Sequence, residues 1–230
     1  DYPNVAWRNL GLCMNIRDGG VEEMSPEHLL RVMRSRQHAI LVWISGRACG
    51  ADEIDFAWTF AHELRHGLQH LRWPRLGEVT NFLSYLLGEI EIGEPKNMAT
   101  IPGEFDAYLQ ATAVLDEAYG SRRTDEFIAA QGNAGAEGDE AFERYKKEHV
   151  VKPSPGPCAA IAAYARDEPY DPISRTIDFL RRHQQPIEAF QTGLPSDDWR
   201  KAFNCGEMLT VLESYKREGH GFRSVRPSRG

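Results

Sequence analysis

The sequence has no run of about 18 apolar residues, so nothing in it reads as a transmembrane helix. Cysteine is scarce and scattered. Cys13, Cys49, Cys158 and Cys205 form no C-x-x-C pair, which excludes a dense disulfide framework and a cysteine-type structural zinc site. Lysine occurs only at Lys96, Lys146, Lys147, Lys152, Lys201 and Lys216, and the net charge is -7. That acidic balance excludes a general nucleic-acid binder, because neutralising phosphates requires a basic face. No N-terminal segment combines basic residues, an apolar stretch and a small-residue cleavage site. Together with the scattered thiols, this gives the expectation of a cytoplasmic protein. No internal repeat is evident.

What is present is enough for a folded core. The 230 residues are 41% hydrophobic and 27% charged, well outside the disordered class. The length allows one large domain, or a domain with an appendage. After Tyr215 the chain carries Lys216, Arg217, Arg223, Arg226 and Arg229 against Glu218. This is a basic tail expected to be solvated, and the one place where RNA or an acidic partner could be touched.

Turn and cap signals divide the chain. Val21 to Gln37 reads as a helix with Ser25 as N-cap and Pro26 at its first position. His38 to Ser45 is a β-branched and aromatic run closed by Gly46, hence a strand. A second helix runs from Asp52 to about Leu71, with Ala57, Ala61, Leu64, Leu68 and Leu71 predicted as its buried stripe. Trp73-Pro74 ends it. Val79 to Leu87 is also predicted helical. Pro102 opens a helix to Tyr119 with Phe105, Leu109, Thr112 and Leu115 facing inward, and Gly120 stops it. Gln131 to Asp139 reads as a surface loop and Lys152 to Pro157 as a break. Helical stretches follow at Cys158 to Arg166, Ile173 to His183 and Trp199 to Glu218. This order predicts an α+β fold: a small sheet, an active-site helix and a second helix as core, with a mainly helical C-terminal part. The corresponding division is a core over 1–120, a helical region over 121–218 packed on it, and a flexible tail over 219–230.

The chemistry is concentrated in Phe60 to Leu71, FAHELRHGLQHL, which contains His62-Glu63-Leu64-Arg65-His66. Residues four apart on a helix lie one turn above each other, so both imidazoles can reach one cation. Neutral imidazole is a good zinc ligand. Glu63, rotated about 100° from His62, can stay out of the ligand set and act as general base toward an activated water. Chance supplies only about 0.025 such H-E-x-x-H patterns in a chain of this composition, and this one falls on an amphipathic helix after a strand. One zinc ion per chain is therefore expected. A catalytic site needs a third protein ligand. His70 lies about 12 Å along the helix from His62 and is excluded as that ligand, although it could face the cleft.

Glu104 is the better third ligand, because the first turn of a helix keeps a carboxylate ionised. Asp106 is a second candidate ligand, or else an acceptor for a ligand histidine. Tyr108 shares the face of Glu104 and either donates to a developing oxyanion or is half-buried core. Arg65, with Trp43 or Trp58, could shape a subsite.

HELRHGLQH followed by PGEFDAY resembles the gluzincin group of zinc metallopeptidases, and within it the ImmA/IrrE-like proteins. The resemblance implies a minimal zincin core whose edge strand binds extended substrate. It implies His62 and His66 as zinc ligands, Glu63 as base and Glu104 as third ligand, with Ala107 in the glutamate signature. Two features depart from the family pattern: residues 73–100 lengthen the gap between the motifs, and the aspartate falls two residues after the glutamate, where many gluzincins have it four after. The function expected is hydrolysis of peptide bonds in a narrow set of proteins, with a regulatory protein partner engaging the C-terminal helices. Two other readings stand beside it. One is a zinc amidohydrolase of deformylase type, with Cys49 as ligand. The other is a regulatory or interaction module whose zinc site is structural or silent.

Overall fold

A computed structural model describes residues 11–15, 40–44, 52–86, 101–137 and 170–218. The predicted helix at Val21 to Gln37, the KPSPGP break, the helix at Cys158 to Arg166 and the tail over 219–230 lie outside the described residues. Strands β1 (Gly11–Asn15) and β2 (Ile40–Ile44) pair antiparallel, with Gly11 opposite Ile44 and Asn15 opposite Ile40. Among the described residues, six α-helices follow: α1 (Glu53–Arg72), α2 (Pro74–Leu86), α3 (Pro102–Tyr119), α4 (Ser121–Glu137), α5 (Pro172–Gly193) and α6 (Cys205–Arg217). A 3-10 turn, Trp199–Ala202, joins the last two.

This architecture corrects the α+β expectation. The described residues are mainly helical, and the single two-stranded ribbon makes no sheet core. The physical reason is that helix-on-helix contacts bury the large side chains, while the ribbon lies against α1. The expected loop at Gln131 to Asp139 is corrected too, since α4 continues to Glu137.

Local chemistry explains most helix ends. Glu53 and Asp55 in the first turn of α1, and His70 and Arg72 in its last, complement the helix dipole. Pro102 begins α3, and Gly120 ends it at φ 82°, a left-handed conformation that costs glycine nothing. Asp171 caps α5 by accepting from the Ile173 and Ser174 amides. Asn204 caps α6 by accepting from the Glu207 amide.

Two apolar cores result. Trp73, between α1 and α2, and Leu76, Phe82 and Leu83 of α2 pack with Ile101, with Ile173, Ile177 and Leu180 of α5, and with Met208 and Leu212 of α6. Ile54 of α1, Phe105, Leu109 and Leu115 of α3, Phe127 and Ile128 of α4, and Tyr170 form the second. The predicted inner face of α3 is thus buried. The predicted stripe of α1 is not. Leu64, Leu68 and Leu71 are exposed, and the helix instead buries Thr59, His62, Glu63, Arg65, His66, Gln69 and His70. The exposed side, with Phe56, Phe60 and Val114 of α3, lines a groove of about 750 Å³. The helical period of α1 holds, but the face turned inward is the polar one, and Arg65, His66 and Gln69 on it are hydrogen-bonded to one another or to α3.

Glycines set how closely the helices approach. A Cβ on Gly77 would overlap the ring of His70, and one on Gly103 would overlap Thr80. Gly77 thereby lets α2 lie against α1, and Gly103 lets the first turn of α3 lie against α2. Gly77→Ala should destabilise the fold by about 1–3 kcal/mol despite the better helix propensity of alanine. Chemical denaturation should show that loss, and should show it shrinking in a His70→Ala background, where the overlap is gone.

Candidate metal centre

Three donors from two helices converge. His62 and His66 sit one turn apart on α1, and Glu104 stands in the first turn of α3. The Nε2 atoms of the histidines are 3.1 Å apart, and each lies 3.3 Å from Glu104 Oε2. All three residues are buried. Metal–ligand bonds of about 2.0–2.1 Å at tetrahedral angles would separate ligand atoms by about 3.3–3.4 Å. The spacing of this donor set therefore fits one small divalent cation, and His62, His66 and Glu104 could hold a metal ion.

The electrostatics agree. Burial pushes the Glu104 carboxyl toward neutrality, but the neighbouring His66 and the hydrogen bonds from both imidazoles outweigh it and hold the pKa well below the usual carboxylate range. Burial lowers the pKa of His62, against the opposing pull of Glu104. His66 also loses solvation, yet Glu104, Glu63 and the bond to Gln69 raise its pKa to about 9. In the metal-free protein a proton on His66 thus offsets the charge of Glu104. Glu63 is buried beside these groups, and burial raises its pKa to about 7, partly countered by His66.

The other residues singled out in the sequence fall elsewhere. Asp106 is not among the three converging donors. It is fully buried and binds Arg65 through two bonds, Nε to Oδ2 at 2.6 Å and Nη2 to Oδ1 at 3.0 Å. The same pair commits the Arg65 guanidinium to Asp106, with its side chain buried. His70 is buried against Gly77 of α2 and is not among the three converging donors. The ring of Tyr108 packs on His62 at a centroid distance of 4.2 Å and on Trp58 at 5.4 Å. It is half-buried. Cys49 and Trp43 cannot be placed: Cys49 and the Trp43 side chain lie outside the described residues.

One residue escaped the sequence reading. Gln69, completely buried, accepts at Oε1 from His66 Nδ1 at 3.0 Å. Its amide nitrogen donates to the Gly103 carbonyl and to Asp106 Oδ2, both at 2.9 Å. The signal was available, for Gln69 follows His66 by three residues and shares its helix face. By contrast, His62 Nδ1 has no hydrogen-bond partner among the described residues, so at that end of the ring packing against His66 and Tyr108 takes the place of a hydrogen bond.

Comparison with protein-family models, with curated proteins and with solved structures finds no match to this chain. The assignment of the centre therefore rests on its own geometry.

Metal entry must expel the proton of His66. That proton is held up to about pH 9, so cation affinity should rise with pH, by about tenfold per unit between roughly pH 7 and 9, and level off above. Calorimetric titration with Co²⁺ in buffers of different ionisation enthalpy should detect about one proton released per ion near pH 8.

Proposed function

We propose that this chain is a zinc-dependent metallopeptidase of gluzincin type, similar to the ImmA/IrrE-like proteins, with one zinc ion per chain. The observation that carries this reading is the convergence of two imidazole nitrogens and one carboxylate oxygen, at 3.1–3.3 Å from each other, beside a buried glutamate. Two nitrogens and one oxygen suit zinc, and three protein ligands leave the fourth position of a catalytic site.

In this reading, zinc supplies polarisation of the scissile carbonyl and acidification of water toward a pKa of about 7. His62 and His66 present neutral nitrogens, and Glu104 supplies the negative charge. Glu63 takes the proton from the attacking water on its carboxylate and returns it to the leaving amine. Its raised pKa, about 7, suits a base that must also act as acid near neutral pH. The Tyr108 ring packs on the His62 ring at a tilt of 44°, which favours a positioning role over oxyanion donation. Strand β2 pairs with β1 on one side, and no other described strand pairs with it. Its other edge can hydrogen-bond an extended peptide next to α1. A structural zinc site would call for four protein ligands, whereas three converge among the described residues. A cysteine-ligated amidohydrolase is disfavoured because Glu104 already completes the three-residue set. Helices α5 and α6, joined to α2 in one core, are the surface we assign to recognition of a protein substrate or regulatory partner.

Glu63→Gln should retain one zinc per chain by metal analysis and lower peptide hydrolysis by about 10²–10⁴-fold. Full activity in that variant would overturn the mechanism. His62→Ala and His66→Ala should lose the metal itself. Comparing proteolysis profiles of cells carrying active and Glu63→Gln protein should reveal the substrate.

A further inference from the structure

The bonds around Gln69 have only one consistent direction. Arg65 can only donate, and it donates to both oxygens of Asp106. The Asp106 carboxylate can only accept. Gln69 stands 2.9 Å from Asp106 Oδ2 and 2.9 Å from the Gly103 carbonyl oxygen, and neither of those atoms carries a hydrogen. Its amide nitrogen must face both, so both amide hydrogens are committed. The amide oxygen is then forced toward His66 Nδ1, at 3.0 Å, and can only accept. Nδ1 must therefore carry the ring hydrogen. In the neutral ring, Nε2 is left as a lone pair aimed at the point where His62 Nε2 and Glu104 Oε2 also converge.

We propose that Gln69 is a positioning residue of the metal centre: held in one orientation by Asp106 and the Gly103 carbonyl, it dictates the tautomer of His66 and so keeps Nε2 available to the cation. This deepens the metal-site reading and rests on it, but not on the peptidase reading. It gives the Arg65–Asp106 pair a task beyond cohesion, since the pair fixes the polarity of the relay at its far end. It also makes the two ligand histidines unequal. His66 Nδ1 is held by a directed hydrogen bond, whereas His62 Nδ1 has no partner among the described residues and its ring packs on Tyr108.

The test reads the imidazole ring directly. Ring ¹⁵N shifts of full-length protein, assigned by His66→Ala, should show His66 protonated at Nδ1 and coordinated through Nε2 in the zinc-loaded state. In the metal-free protein, taken to a pH at which the ring shifts themselves report a neutral imidazole, they should show the same Nδ1–H tautomer. Gln69→Met keeps the volume but removes the acceptor. It should weaken zinc binding by about 10–100-fold in chelator competition and abolish the tautomer preference. An Nε2–H tautomer in the metal-free wild type, or coordination through Nδ1, would overturn the proposal without needing a variant. So would a folded Gln69→Met protein that binds zinc within twofold of the wild type. Failure of the wild type to bind zinc, with the Nδ1–H tautomer intact, would instead sink the metal reading and leave the relay standing.

Discussion

Arg65 and Asp106 bring opposite charges into a region where neither side chain reaches solvent. Desolvating two such groups is costly, and mutual attraction offsets that only with good geometry and further hydrogen bonds. Both conditions are met here. The pair is bidentate, and Asp106 accepts a third bond from Gln69. The candidate centre depends on this interaction. It ties α1 to α3 two residues beyond Glu104, and so sets the distance between the histidine pair and the third donor.

The same interaction accounts for the inverted face of α1. An amphipathic helix ordinarily turns its aliphatic residues inward, because apolar burial is the larger driving force. In α1 the inward face holds Arg65, His66 and Gln69, whose polar atoms are bonded to each other and to Asp106 and Gly103. Apolar burial is supplied by the two cores on either side, through α2 with α5 and α6, and through α3 with α4. The centre is thus a polar seam between two hydrophobic bodies, closed by helices whose approach Gly77 and Gly103 permit.

Much of this was legible in order of residues. The limits of α1 and α3, the inner face of α3, the histidine pair and the carboxylate of Glu104 followed from periodicity, from Pro102 and Gly120, and from the four-residue spacing. The fold class did not follow. The β-branched and aromatic run at His38 to Ser45 suggested a small sheet, but strand propensity in a short run says nothing about how many partners a strand will find. Asp106 was open between two roles, and Gln69 was overlooked, because hydrogen-bond partners separated by 34 to 41 residues leave no local pattern.

By itself the sequence determined which donor atoms are offered and how two of them are spaced, because covalent geometry and the helical repeat place His62 and His66 on one face whatever surrounds them. Only the tertiary structure decided which face of α1 is buried, that Glu104 closes the donor set, that Asp106 serves Arg65 and Gln69 rather than a cation, and that His70 stands apart. Those outcomes depend on how α1, α2 and α3 pack, and packing is settled by long-range contacts and by the absence of two Cβ atoms.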